Sequence, residues 1–203
     1  MSLPMIRPRA SASALLLSLF AAACGGRAPV PEPGAAQGTP PDLRGSTVMV
    51  LPFQESATVK GDLDAELAFA LRDRGTGVTW ILPPRLQEVL NRSPGLGARI
   101  HGLPVGAFTT AEVERVGDPL YGDLRRLASL VDAEVTLLPV RAWLHPGEGG
   151  ARVRVSAALI HVRTGRVLWF GVEEGDVREP GDPSGPASAA DALARTLLWY
   201  VPR

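Results

Sequence analysis

The chain lacks nearly every feature that would announce a chemistry. Cys24 is its only cysteine, so no internal disulfide can brace a fold. Lys60 is its only lysine, and basic charge is otherwise carried by arginine. The 21 basic residues are matched by 21 acidic ones, so no basic excess points to nucleic acid. Aromatics are scarce, with Trp80, Trp143, Trp169 and Trp199 the largest of them. His101, His145 and His161 lie in separate segments, and no His-x-x-x-His pair suggests a zinc site. There is no Gly-x-Ser-x-Gly elbow for a nucleophile. Gly75-Thr76-Gly77 and Gly95-Leu96-Gly97 are too short to cradle a phosphate, and no Lys-Ser/Thr follows either. Asp62, Asp64 and Glu66 lack the glycine and the later glutamate of a calcium loop, and read as the acidic start of a helix. Glu173, Glu174 and Asp176 read as a solvated strand edge guarded by charge. No catalytic residue, metal or cofactor is assigned, and an enzyme is not expected. A cleft gathering His101 with acidic residues would reopen that question.

What is present first is a leader. Arg7 and Arg9 precede an apolar run, Ala14 to Phe20, and then Ala21-Ala22-Ala23 leads into Cys24. With the three alanines the apolar stretch is about ten residues, half of what spans a bilayer, and it fits the core of a secretory signal. Residues 1–23 are therefore expected to be removed. Small residues before a cysteine resemble the processing site of bacterial lipoproteins, with Cys24 the lipid attachment point for diacylglycerol and palmitate. Ala21 stands where such sites usually carry leucine. Gly25 after the cysteine, by resemblance to sorting signals, implies the periplasmic face of the outer membrane. Loss of Arg7 and Arg9 leaves the mature chain about two charges acidic.

Residues 24–46 are rich in Pro, Gly and Ala without hydrophobic period, and are expected to form a disordered tether. From 47 to 203 the pattern is that of one domain. Thr47–Phe53 reads as a buried strand, Asp62–Leu71 as a helix with Leu63, Leu67, Ala70 and Leu71 on one face. Val78–Leu82 reads as a strand closed by Pro83-Pro84, which can open the next helix through Leu86, Val89 and Leu90. Residues 93–120 form an irregular insertion in which Thr109–Glu112 has capping-box spacing. Tyr121–Val131 is a helix facing inward through Leu124, Leu127 and Leu130. Val135–Leu144 is a strand in which Pro139 predicts a bulge or an edge position. After a turn at 145–150, Arg152–Val162 and Val167–Phe170 form a hairpin around Gly165. Ala189–Val201 is a final helix with Ala190, Leu193, Leu197 and Val201 on one side. This order predicts a single α/β domain, a mixed sheet of about five strands packed with helices.

Two segments carry a resemblance. Val131–Thr136 is similar to a Gly-Ala-Asp-Ala-Val-Val step from helix to strand. Leu159–Trp169 resembles a Leu-Val-Asp-x-x-Thr-Gly-x-x-Leu-Trp hairpin, with His161 in place of the Asp. With the opening strand, these resemble the TolB N-terminal-domain-like family, which includes the curli-secretion lipoproteins. The resemblance covers 47–203 apart from the insertion. It implies a non-catalytic envelope protein that binds an envelope protein partner. The binding surface is expected at the 93–120 insertion or at an exposed sheet edge, and Trp143 and His145 beside the Gly-rich turn are the candidate interface residues, since aromatics dominate interfaces. The alternative is an auxiliary lipoprotein of an envelope transporter or secretion system that binds an apolar ligand. Expected partners are thus a membrane through the anchor and a protein, with no nucleic acid; self-association stays open.

Overall fold

The computed structural model describes residues 36–109 and 113–199. The expected α/β domain is what it contains. The elements in order are β1 (Ala36–Gln37), β2 (Thr47–Val50), α1 (Leu63–Arg74), β3 (Thr79–Ile81), α2 (Pro83–Asn91), α3 (Leu120–Ser129), β4 (Val135–Gly147), β5 (Gly150–His161), β6 (Arg166–Glu174) and α4 (Ser184–Leu197). Two single turns of 3-10 helix, Pro94–Leu96 and Gly106–Thr109, lie in the insertion. The sheet runs β1-β6-β5-β4-β2-β3. β2 is parallel to both β3 and β4, whereas β4, β5, β6 and β1 form an antiparallel run. Five strands carry the sheet, and the two-residue β1 closes one edge.

Helices cover both faces. α1 and α4 bury Leu63, Leu67, Leu71, Leu193 and Leu197 against Val48, Val50, Val155 and Trp169. α2 and α3 bury Leu86, Leu90, Leu124 and Leu127 against Met49, Leu138, Ala158 and Phe170. Asp62 caps α1, its carboxylate accepting from the Ala65 N–H at 3.0 Å, which stabilises the helix by about 1 kcal/mol. Among the described residues no helix is long and apolar enough to cross a membrane.

Several expectations change. Residues 36–46 were expected within the tether, yet they lie on the domain: β1 pairs with Phe170 and Gly171, and Leu43 is 1% exposed. One apolar side chain with a cavity to fill outweighs the Pro/Gly composition around it. The leader, Cys24 and residues up to 35 lie outside the described residues, as do 110–112 of the spaced Thr109–Glu112 segment and 200–203, which include the expected helix's last residues, Tyr200 and Val201. The insertion is no free loop. Ile100, Leu103, Val105, Phe108 and Val116 are buried and form the outer wall of the second core. Pro139 sits in a central strand, and the register shifts between Pro139 and Arg141. The missing N–H is accommodated there because the chain after β2 pairs alongside, with Gln54 N–H donating to the Pro139 carbonyl at 3.2 Å and Ala142 N–H to that of Glu55 at 2.7 Å.

The β4–β5 connection is tighter than expected, since the strands reach Gly147 and Gly150 and leave only Glu148-Gly149 between them. β6 continues to Glu174, so Glu173 and Glu174 lie at the strand's end as expected, half-buried rather than fully solvated. Burial pushes the Glu173 carboxyl above its ordinary range against the Thr196 hydroxyl and nearby Arg195. α4 begins earlier than expected, at Ser184. Trp169 is fully buried. Trp199 is 63% exposed, and its indole N–H donates to the Pro40 carbonyl at 3.2 Å, clasping the 36–46 segment.

Candidate functional site

Two places on the domain have the geometry of a site. The first is a cleft of about 320 Å³ at the carboxyl ends of parallel β2 and β3. α1 leaves β2 on one face of the sheet, and α2 leaves β3 on the other. A crevice opens where such connections part, and ligands of open α/β sheets bind there. Asp62 and Asp64 come from the start of α1, Pro83, Pro84 and Gln87 from the start of α2, and Ile100 and His101 from the insertion.

Long-range hydrogen bonds hold the cleft. The Asp64 carboxylate accepts from the Phe53 N–H at 2.8 Å, fixing α1 to the end of β2. The Gln54 side chain donates to the Pro52 and Ile100 carbonyls at 2.7 and 3.0 Å and accepts from Leu103 N–H at 2.9 Å. Gln54 thereby staples the insertion over the strand end. Burial raises the Asp64 carboxyl above its ordinary range, and the Asp62 charge adds to this. The Phe53 N–H and the His101 ring oppose it.

The sequence did not single out Gln54, and nothing local marks it. His101 does meet two acidic residues in one cleft, which the separation of the histidines along the chain concealed. The cleft's lining has no Ser, Thr, Cys, Tyr or Lys beside them to serve as a nucleophile. Among the described residues no His/Cys/Asp/Glu group is arranged to hold a metal ion. The lining sets the apolar side chains of Pro52, Pro83, Pro84 and Ile100 beside the carboxylates of Asp62 and Asp64 and the His101 ring.

The second place is the outer half of the β4–β5–β6 ladder. Arg141, Trp143 and His145 lie on one face of β4, opposite Ser156, Arg154 and Arg152 of β5. The Arg141 guanidinium stands 5.5 Å from the Trp143 ring centre. Glu174 on β6 binds both Arg152 and Arg154, the latter at 3.1 Å. Those contacts hold the Glu174 carboxyl below its ordinary range despite the opposing effect of burial. α2 and α3 pack on this side of the sheet through residues nearer its other end, such as Leu138, Ala158 and Ile160. Trp143 and His145 are half-buried and share the face, as their alternation requires.

The hairpin that resembled an Asp-bearing motif forms without the Asp. His161 accepts from Gly165 N–H through its carbonyl at 2.8 Å, and its ring Nδ1 lies 3.2 Å from Thr164 Oγ1.

No family model and no curated protein matches the chain. Several solved structures resemble it in outline. The PelC dodecamer from Paraburkholderia phytofirmans is 17% identical with a TM-score of 0.42, over 83% of this chain and 96% of that one. The LpoB C-terminal domain from Salmonella enterica is 16% identical with a TM-score of 0.42, over 67% and 86%. Lipoprotein GNA1162 from Neisseria meningitidis is 16% identical with a TM-score of 0.41, over 64% and 81%. None of these carries the TolB or curli-secretion name.

Proposed function

We propose that the protein is a non-catalytic, lipid-anchored module of the bacterial cell envelope that docks an envelope protein partner through the Trp143 face. Cys24 carries the acyl chains at the periplasmic side of the outer membrane. The supporting observation is the outer half of the β4–β5 ladder, where half-buried Trp143 lies between Arg141 and Arg154. Aromatic and arginine side chains dominate interface energetics, and here strands rather than loops hold them in place. With residues 36–46 laid on the domain, the span from 24 to 35 reaches at most about 40 Å. The partner must therefore come within that distance of the anchoring membrane.

Two measurements test this. In Cys24→Ala cells the protein should leave the membrane fraction, and unchanged association would sink the anchor. A photo-crosslinker at position 145 should trap a partner that one at position 72, on the exposed side of α1, does not. Equal trapping at both positions would sink the Trp143 face.

The cleft favours a second reading, an apolar ligand held by an auxiliary transporter lipoprotein. Its walls are mostly Pro and Ala side chains with Ile100. An apolar fluorophore should bind the protein and be excluded by Ala68→Trp, which fills the cleft; retained binding would reject this reading.

A further inference from the structure

Four arginines converge at the end of the sheet opposite the Trp143 face. A short antiparallel bridge places Arg115 directly across from Arg166. The flanking hydrogen bonds run from Val116 N–H to the Gly165 carbonyl at 2.8 Å and from Val167 N–H to that of Glu114 at 2.9 Å. Arg115 and Arg166 are thus a non-hydrogen-bonded pair, the closest cross-strand arrangement, with Cα atoms about 4.5 Å apart and side chains on one face. Like charges so placed repel and cost stability.

Arg163 extends from the same turn. Arg125 of α3 stands 5.6 Å from the Tyr121 ring centre, and the Tyr121 hydroxyl donates to the Arg163 carbonyl at 2.8 Å. All four arginines are exposed, and among the described residues none has a carboxylate within ion-pair distance. Acidic residues are near in sequence, Glu114, Asp118, Asp132 and Glu134, but none is used to neutralise them. The turn is held firmly. Gly165 has φ +69°, and a Cβ there would stand 3.0 Å from both the Tyr121 ring and the Val116 carbonyl. The guanidinium groups therefore project from fixed backbone positions, which lowers the ordering cost of binding.

We propose that this end of the domain, with Arg115 and Arg166 at its centre and Arg125 and Arg163 beside them, is a docking surface for a carboxylate-rich segment of a protein partner. Guanidinium forks match carboxylates two bonds at a time, and an intervening carboxylate turns the facing pair from a repulsion into an attraction. Position on the fold favours protein over membrane. The amino end of β1 points toward the Glu174 end of β6, away from this turn, so the arginines lie on the far side from the proposed anchor. Along the strands they are roughly 25–30 Å from the Trp143 face, so this surface stands or falls apart from that one.

The test uses the full chain in non-ionic detergent, with a labelled peptide of alternating Glu and Ser and, separately, anionic phospholipid vesicles. The peptide should bind at low salt, and Arg115→Ser/Arg166→Ser should weaken it about tenfold or more. A control double variant of exposed arginines elsewhere, Arg72→Ser/Arg99→Ser, should stay within about twofold of the parent. Without ligand, Arg166→Ser should raise the melting temperature by roughly 1–3 °C as the repulsion is relieved. Equal weakening by both double variants, or none by the first, would overturn the proposal. So would binding of vesicles but not peptide, or a lower melting temperature for Arg166→Ser.

Discussion

Replacing Leu43 by alanine separates a structural strap from a loose tether. Leu43 is 1% exposed and belongs to the cluster that contains Val48, Leu71, Leu82 and Leu198. The chain around it is fixed on both sides. Ser46 N–H donates to the Leu43 carbonyl at 3.0 Å, Gly45 N–H to that of Gly77 at 2.8 Å, and Trp199 reaches Pro40. The substitution removes three carbon atoms, which at about 0.8 kcal/mol per buried CH₂ is roughly 2.4 kcal/mol of lost transfer free energy. A residual cavity adds to this, and buried Leu→Ala changes span about 2–5 kcal/mol. Leu43 lies on a surface segment that can settle inward, so the lower part of that range applies, about 2–3 kcal/mol. For a domain of this size the melting temperature should fall by roughly 4–12 °C. Urea titration should show a lower midpoint with an unchanged slope. A variant melting within about 1 °C of the parent would mean that residues 36–46 are not part of the cooperative unit. The shortened reach from the membrane would then be wrong as well.

Other perturbations have equally definite outcomes. Gly171→Ala would set a Cβ 2.5 Å from the Trp169 ring, which is fully buried, and should cost about 1–3 kcal/mol by denaturant titration; a neutral result would mean that the ring can move. Gln54→Leu leaves the Leu103 N–H and the Ile100 carbonyl without their partner, and should cost about 1–3 kcal/mol and increase amide exchange at 100–103. No change in exchange there would show that the insertion is held by its apolar residues alone. The Asp64 carboxyl, raised by burial above its ordinary range, holds its proton longer in the folded chain than in the unfolded one. The parent should therefore lose stability as pH rises from near 3.8 through the raised folded value, with the cost constant above it. Asp64→Asn, which keeps an acceptor for Phe53 N–H, should lack that loss and gain on the parent across the same window; a flat difference curve would refute the burial argument.

Local pattern was enough for much of this molecule. Alternation at Arg152–Val155 and the turn at Gly165 specified the β5–β6 hairpin, since the turn needs a residue at positive φ. Leu63, Leu67 and Leu71 specified the buried face of α1, and Asp62 its start. Pro83-Pro84 marked the end of β3 and the opening of α2. These are properties of neighbours along the chain, and a sequence displays them directly.

Meetings between distant segments belong to the tertiary structure alone. Pro139 indicated a bulge or an edge, and only the pairing of residues 54–55 beside it decided for a bulge in a central strand. The Pro- and Gly-rich composition of 36–46 suggested a tether, but composition cannot reveal that Leu43 joins the core cluster of Val48, Leu71 and Leu82. His101 and Asp64 share a cleft because Gln54 spans from β2 to the insertion, and Arg115 faces Arg166 because a register aligns them. Each of these contacts closes a loop of tens of residues, and its place is fixed by sheet order and packing rather than by any period in the sequence.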